Sequence, residues 1–184
     1  MNGPASFLRA LAEKLRDAGI PWMLTGSTAS SFYGEPRATN DLDVVLDPDE
    51  AQLARFLASL AGAFYVGAEE ARDAFRTRGM FNVVDSASGW KADMILVGDR
   101  DFDREEFARR RAVRLLDVDA WVISPEGSIL SKLEWAQRGG SELQRRDARA
   151  VAAACGSSLD REYLLRQAEA LGVMNDLVVL LPPP

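Results

Sequence analysis

Residues 22–46 read WMLTGSTASSFYGEPRATNDLDVVL, and the order of the segments in this stretch predicts the fold. The apolar run Trp22-Met23-Leu24-Thr25 predicts a short strand, which stops at a turn formed by Gly26-Ser27. A short helix and then a polar loop are expected over residues 28–40. Asp41 to Leu46 is rich in β-branched and apolar residues, so it predicts a buried strand that carries two carboxylates.

The two carboxylates of that strand, Asp41 and Asp43, are expected to project from one face, because side chains alternate along a strand. Carboxylates on one face repel each other, and a divalent cation removes this repulsion. Mg²⁺ suits the pair because it prefers oxygen ligands and is usually held by one or two carboxylates together with substrate phosphates.

A third carboxylate, Asp93, lies in a strand predicted over residues 91–97. If that strand neighbours the first acidic strand, the three carboxylates meet and can hold two ions about 3.5–4 Å apart, an arrangement used in phosphoryl transfer. Asp93 would then serve the ion nearer the attacking hydroxyl and could accept its proton.

Four residues that precede the acidic strand are candidates for phosphate binding. Gly26 lets the backbone approach a ligand closely, and the helix that follows offers free N–H groups at its N-terminus. Ser27 adds a hydroxyl donor. Arg37 can clamp a phosphate through two hydrogen bonds, and Thr39 can hydrogen-bond nearby.

Each of these features also has a purely structural interpretation. Gly26-Ser27 alone is typical of a turn, and an acidic pair two residues apart is typical of a solvated strand edge or a cap. Asp93 alone is compatible with an ordinary salt bridge. The functional interpretation is favoured by their joint order: apolar strand, Gly-Ser, short helix, acidic strand, and a later strand with an aspartate.

Composition narrows the chemistry that is available. The chain has 184 residues with 47% hydrophobic and 27% charged, as in a globular domain, and a formal net charge of −6. It contains no histidine, which excludes Ser-His-Asp and Cys-His catalysis and imidazole metal sites. Its one cysteine, Cys155, is expected to occupy a buried helix position. The acidic balance argues against sequence-blind nucleic-acid binding, so no DNA partner is expected.

The whole chain is expected to be an α/β (α+β) protein: residues 1–123 form a core with a mixed sheet flanked by helices, and residues 124–184 form a helical part packed on that core. Within the core, Asp47 is expected to cap a helix, with Pro48 at its first position and Glu50 in the capping box. Residues 101–111 are expected to be helical.

No apolar run is long enough to span a membrane and no targeting segment is evident, so a cytoplasmic location is expected.

The stretch from Leu24 through Ser27 to Arg37-Ala38-Thr39-Asn40-Asp41-Leu42-Asp43 resembles the signature of the DNA polymerase β-type nucleotidyltransferase superfamily. The arrangement Arg-x-Thr-x-Asp-x-Asp is similar to that of AbiEii-type nucleotidyltransferase toxins and their uncharacterised relatives. A second, looser match lies in the helical part, at Ile123-Ser124-Pro125-Glu126, Lys132-Leu133 and Arg146-Asp147.

The resemblance implies a nucleotidyltransferase-type mixed sheet and Mg²⁺-dependent transfer of a nucleoside monophosphate (NMP) from a nucleoside triphosphate (NTP) to an acceptor. It assigns the triphosphate to Gly26 and Ser27, and the metal ions to three aspartates: Asp41, Asp43 and Asp93.

The second match implies roles for three further residues and leaves an alternative open for each of them. Lys132 would neutralise phosphate charge, or it is a surface helix lysine. Asp147 would orient Lys132 or a ligand, or it pairs with Arg146 or Arg149 on the helix surface. Glu126 flanks the nucleotide, or it is a first-turn acid favoured by the helix dipole.

The acceptor is not fixed by the sequence. The resemblance implies tRNA or protein, with a possible toxin–antitoxin role and a cognate antitoxin as partner. A non-catalytic nucleotide- or partner-binding module and an antibiotic-modifying nucleotidyltransferase are the alternatives. The arginines between Arg104 and Arg114 could contact RNA, although a solvated helix face offset by nearby acids is the favoured interpretation.

Overall fold

The computed structural model describes residues 3–39 and 41–181, so Asn40 of the motif and the terminal prolines lie outside the described residues. Helices and strands alternate through the first two thirds of the chain, and helices follow. The α-helices are α1 Pro4–Ala18, α2 Gly26–Tyr33, α3 Glu50–Ser59, α4 Ala68–Thr77, α5 Asp101–Ala108, α6 Pro125–Gly139, α7 Glu142–Cys155, α8 Arg161–Leu171 and α9 Met174–Leu180. The strands are β1 Trp22–Leu24, β2 Asp41–Leu46, β3 Phe64–Val66, β4 Met80–Asp85, β5 Lys91–Leu96, β6 Arg111–Leu115 and β7 Val118–Val122.

The helix after β2 begins later than the sequence analysis predicts. Asp49, and not Asp47, is its N-cap: the Asp49 carboxylate accepts a hydrogen bond from Gln52 N at 2.7 Å. The Gln52 side chain returns the contact by accepting one from Asp49 N at 2.8 Å. The capping box therefore uses Gln52 in place of Glu50, because Asp49 and Gln52 have the three-residue spacing that closes both bonds.

The expected helix over residues 101–111 is also shorter than predicted. It ends at Ala108, and Arg111 already begins β6, where it pairs with Val122 of β7 in an antiparallel hairpin. The arginine cluster is therefore not one solvated helix face, because it extends from a helix through a turn into a strand. The hairpin pairing with β7 is the physical reason, since it fixes residues 111–115 in extended conformation.

The described residues form two compact units. The sheet unit comprises the described residues of 1–25 and 39–122, and the helical unit those of 26–38 and 123–181. The division expected from the sequence, at residues 123 and 124, stays a prediction. The structure adds that residues 26–38 group with the C-terminal helices, although strands of the sheet unit lie on both sides of them in the chain.

The sheet unit contains a seven-stranded mixed sheet with the order β3-β4-β5-β2-β1-β7-β6. The central pairs β2–β5 and β1–β7 are parallel, and the other pairs are antiparallel. In β2 and β5 every second residue is buried, so each strand buries one face and leaves the other for polar side chains. The α/β fold class expected from the sequence is confirmed.

In the helical unit the short helix α2 packs on α6 and α7. The Tyr33 hydroxyl donates to the Ile123 carbonyl at 2.9 Å. Gly34 lies directly on the backbone of α7, because a Cβ atom placed on it would be 2.9 Å from Val151 N and 3.0 Å from Ala150 C. Only glycine fits this approach without a shift of the backbone.

Two smaller expectations concern the helices. Cys155 is the last residue of α7, as expected for a helix position, but it is half-buried and not fully enclosed. Within residues 3–39 and 41–181, no helix combines the length and the apolar character that crossing a membrane needs.

We expect Gly34→Ala to lower the free energy of unfolding by about 1–3 kcal/mol, the usual cost of forcing an extra carbon into a packed contact. Gly139→Ala is the matched control, because a Cβ at Gly139 meets no atom within 4 Å. Urea denaturation of both variants measures the difference. Equal stability of the two variants would contradict the close approach of Gly34 to α7.

Candidate active site

The three predicted aspartates lie on one face of the sheet unit. Asp41 and Asp43 are two residues apart in β2, and Asp43 is in register with Asp93 of the parallel neighbour β5. Paired residues of adjacent strands project to the same side, so all three carboxylates share a face. The condition set by the sequence analysis, that the two acidic strands are neighbours, is met.

Lys91 supplies a cation to this acidic face. It is two residues before Asp93 in β5, and its Nζ lies 2.9 Å from Asp93 Oδ1 and 3.2 Å from Oδ2. The hydrogen bond that the Lys91 ammonium donates to Asp93 raises the pKa of Lys91 above its ordinary value; burial opposes this, and the charges of Asp93, Asp41 and Asp43 add to it. The three carboxylates therefore all stabilise the same ammonium group.

Thr39 also belongs to the acidic face. Its hydroxyl Oγ1 lies 2.7 Å from Asp41 Oδ1, to which it donates, and 3.2 Å from the Asp41 carbonyl oxygen. This contact orients the Asp41 carboxylate. The phosphate contact suggested for Thr39 stays a prediction.

The donor set on the acidic face matches a divalent cation in chemistry. All its ligand atoms are carboxylate oxygens, which Mg²⁺ prefers. Asp93 Oδ1 is buried and makes no hydrogen bond, although the Lys91 ammonium lies within ion-pair distance. As the side chains stand, no three acidic or cysteine residues in the described part of the chain lie close enough together to hold a metal ion. The cation in contact with Asp93 in this structure is Lys91.

The helical unit holds Gly26, Ser27 and Arg37, three of the four residues that precede the acidic strand and were predicted for phosphate binding; the fourth, Thr39, lies in the sheet unit. Gly26 and Ser27 are the first residues of α2, so the helix begins two residues earlier than expected. Gly26 has a φ of +59°, a left-handed conformation that glycine adopts without cost. Ser27 and Thr28 thus lie in the first turn, where backbone N–H groups have no partner within the helix. The Thr28 hydroxyl, which the sequence analysis did not select, is buried and makes no hydrogen bond.

Arg37 links three of the predicted residues in this unit. One guanidinium nitrogen, Nη2, donates to the Ser27 hydroxyl, and Nε lies 3.3 Å from Asp147 Oδ2. Lys132 Nζ lies 3.2 Å from the same Asp147 oxygen. Ser27, Arg37, Lys132 and Asp147, which we call the basic cluster, therefore form one hydrogen-bonded network.

The basic cluster settles two alternatives left open by the sequence. Lys132 is 4% exposed, so it is not a surface helix lysine. Asp147 is 7% exposed and pairs with Lys132 and Arg37, which shows that its partner is not Arg146 or Arg149 on the same helix surface. A buried lysine and a half-buried arginine that share one carboxylate leave a net positive charge, which suits an anionic ligand.

Glu126 has a different role. It is in the first turn of α6, as expected, but it is fully buried and accepts a hydrogen bond from Asp160 N at 2.9 Å. Asp160 is the N-cap of α8. Glu126 therefore connects two helices of the unit, and this contact accounts for its burial.

The sequence analysis missed Lys91, although a signal was present. Alternation along the strand places residue 91 on the same face as residue 93, so an ion pair with Asp93 could have been predicted.

The arginine cluster includes an arginine in contact with aromatic rings. The Arg110 guanidinium lies 4.5 Å from the Phe107 ring centroid and 5.0 Å from that of Trp121. Arg110 therefore contacts two aromatic rings, one of which, Trp121, lies on the neighbouring strand β7.

Comparisons with known proteins place the fold. No family model matches this chain, and no curated protein matches its sequence. Several solved structures are similar. An antigenic nucleotidyltransferase-like protein from Paracoccidioides brasiliensis has a TM-score of 0.58 at 16% identity, covering 96% of this chain and 90% of that one.

The antibiotic-resistance factor ANT(2'')-Ia is similar in two structures. Its solution structure has a TM-score of 0.57 at 10% identity, covering 93% of this chain and 96% of that one. Its complex with adenylyl-2''-tobramycin has a TM-score of 0.57 at 13% identity, covering 91% of this chain and 96% of that one. The chain therefore has a nucleotidyltransferase-type fold, as the sequence predicts.

We expect Asp147→Asn to lower the free energy of unfolding by about 3 kcal/mol or more, because it leaves the buried Lys132 ammonium without its counter-charge. The double variant Lys132→Met/Asp147→Leu should recover much of this loss, since it removes both charges. Asp73→Asn breaks an exposed ion pair with Arg76 and serves as the control, with an effect below about 1 kcal/mol. Denaturant unfolding measures all three, and an Asp147 effect as small as that of Asp73 would contradict the assignment.

Proposed function

We propose that this chain is a Mg²⁺-dependent nucleotidyltransferase that transfers an NMP from an NTP, such as ATP, to an acceptor. The observation that carries the proposal is the register of β2 and β5, which sets Asp43 beside Asp93 with Asp41 on the same face. Like charges on neighbouring strands repel each other, and a bound divalent cation would offset this repulsion. The nucleotidyltransferase-type fold agrees with this chemistry.

In the proposed reaction an acceptor oxygen attacks the α-phosphorus of the NTP. The new bond joins the acceptor oxygen to that phosphorus, the bond from it to the bridging oxygen of the β-phosphate breaks, and pyrophosphate leaves with the electron pair. Asp93 is positioned to take the proton that the acceptor hydroxyl loses. Magnesium ions, of which we expect two, held by Asp41, Asp43 and Asp93, would neutralise the charge that develops on the phosphate oxygens.

The basic cluster is the proposed phosphate-binding part. Its network already contains the hydroxyl of Ser27, the guanidinium of Arg37 and the ammonium of Lys132. Gly26 and the first turn of α2 add backbone N–H groups that favour an anion. Asp147 holds Arg37 and Lys132 at fixed distances, so we propose that it positions these cations and does not itself contact the nucleotide.

Two acceptor classes follow from different observations. The motif of residues 37–43 favours a macromolecular acceptor, tRNA or protein, with a toxin–antitoxin role and a cognate antitoxin as partner. The likeness to ANT(2'')-Ia, whose complex contains adenylyl-2''-tobramycin, favours a small cationic acceptor such as an aminoglycoside. The net charge of −6 is compatible with a cationic acceptor.

We expect the protein with Mg²⁺ and an α-phosphate-labelled NTP to label one acceptor class among total RNA, total protein and aminoglycosides, each tested with four NTPs. Asp43→Asn should lower the rate at least a hundredfold, because it removes a metal-binding charge. Asp47→Asn is the matched control. Asp47 follows β2 directly, but its Oδ1 lies 3.5 Å from Nη1 of Arg78, so the activity of the Asp47→Asn variant should equal that of the wild type. The labelled acceptor, counted after separation from the unreacted labelled NTP, is the measurement.

The other outcomes of this experiment are informative. Metal-dependent NTP binding without any labelled acceptor would favour a non-catalytic nucleotide-binding module over the enzyme. Absence of metal-dependent NTP binding would overturn the proposed function altogether. Equal loss in the Asp43 and Asp47 variants would show that the effect is not specific to the acidic face.

We expect Arg37→Lys to raise the KM for the NTP about tenfold with a smaller change in kcat, because an ammonium cannot replace the planar fork of a guanidinium on phosphate. Arg55→Lys is the control, since the Arg55 side chain donates to the Ala18 carbonyl and lies outside both candidate clusters. Steady-state kinetics over a range of NTP concentration measures the effect. An unchanged KM would remove Arg37 from the phosphate-binding residues.

A further inference from the structure

We propose that Lys91 is a built-in counter-ion of the acidic face, which holds Asp93 when no metal is bound and must move away before Asp93 can ligate a divalent cation. The inference rests on the proposed function, because it concerns the same carboxylates. It adds a positioning residue that neither the motif nor the fold assigns. It also states how the site avoids repulsion in the absence of its metal.

The first observation is the contact itself. Lys91 and Asp93 are two residues apart in β5, so their side chains lie on the same face of the strand. Lys91 Nζ lies 2.9 Å from Asp93 Oδ1 and 3.2 Å from Asp93 Oδ2. The Asp93 side chain is only 16% exposed, so little water is available to screen its charge. Removal of the ammonium would therefore leave a poorly solvated carboxylate without its counter-charge, which costs more than the loss of an exposed ion pair.

The second observation is the neighbourhood of the ammonium. Asp41 is in register with Lys91, and Asp43 is in register with Asp93. The ammonium therefore faces three carboxylates on two parallel strands. One positive charge offsets part of the repulsion among three negative ones, which explains how β2 and β5 pair without a metal ion.

The third observation is the spacing of the carboxylates. Asp93 Oδ1 is buried and has the Lys91 ammonium 2.9 Å away as its counter-charge. Within the described residues, the acidic side chains are not close enough to one another to hold an ion in their present positions. For a metal ion to replace the ammonium, the carboxylates would therefore have to move closer together.

The exposure of the Lys91 side chain allows its ammonium group to move away from Asp93. The Lys91 side chain is 39% exposed, so the long, flexible chain can swing its charge into water. Displacement of the ammonium then becomes part of the free energy of metal binding. Lys91 thus lowers the affinity of the acidic face for the metal, and it stabilises that face when no metal is bound.

The test compares the Mn²⁺ affinity of the full chain and its variants by the loss of the free-ion electron paramagnetic resonance signal. We expect Lys91→Met to bind Mn²⁺ about tenfold more tightly than the wild type, since a neutral side chain of similar length no longer competes. Lys91→Arg should stay within about threefold of the wild type, because the charge is kept. Lys14→Met is the matched control: it changes the net charge equally but contacts Ser59 and Phe64, and its affinity should be unchanged.

Thermal unfolding gives a second readout that a merely structural lysine would not produce. Without metal, Lys91→Met should melt below the wild type, because three carboxylates lose their cation. With Mg²⁺ the difference should shrink or reverse. Should Lys91→Met fail to fold without metal, recovery of folding by Mg²⁺ supports the proposal, and failure in both conditions overturns it.

The outcomes separate this proposal from the proposed function. Equal Mn²⁺ affinity in wild type and Lys91→Met, or weaker binding in the variant, overturns the counter-ion role and leaves the nucleotidyltransferase assignment intact. Absence of Mn²⁺ binding in both proteins overturns the metal site and with it the proposed function.

Discussion

The parallel pairing of β2 with β5 is the constraint on which the site depends. It aligns Asp43 with Asp93 and Asp41 with Lys91, so the register alone decides which charges meet. A slip by one residue would turn the carboxylates to the buried face, where Leu42 and Val44 now pack. The hydrophobic alternation of both strands opposes such a slip. The core packing on one face thus fixes the electrostatics on the other.

The acidic face and the basic cluster carry uncompensated charges of opposite sign. On the acidic face, three carboxylates share one partly exposed ammonium, and the imbalance is negative. In the basic cluster, one buried carboxylate, Asp147, serves both Lys132 and Arg37, and the imbalance is positive.

Much of the fold was predictable from local patterns. The strand over 41–46 has the bounds that its β-branched and apolar residues predict. Strand order was not predictable, because the adjacency of β2 and β5 depends on pairing between residues fifty positions apart in sequence. The sequence could therefore predict the site only on the condition that the strands of Asp43 and Asp93 are neighbours. The register of β2 and β5 shows that they are.

The errors have equally local reasons. Asp47 and Asp49 both precede the helix α3, and only the contact with Gln52 decides which one caps it. The pairing of Lys132 with Asp147 was only one of the alternatives that the sequence left open, because the two residues lie on consecutive helices and neither helix pattern shows which faces meet. Lys91 was not predicted as part of the site, although strand alternation places it on the same face as Asp93.

The assignment of residues 26–38 to the helical unit has a consequence for how this chain can be divided. The polypeptide passes between the two units three times, after residues 25, 38 and 122. No single cut therefore yields either unit whole. Removal of the C-terminal helices would leave the short helix α2 in the remaining fragment without α6 and α7, its packing partners. The two units therefore have to be expressed and engineered together.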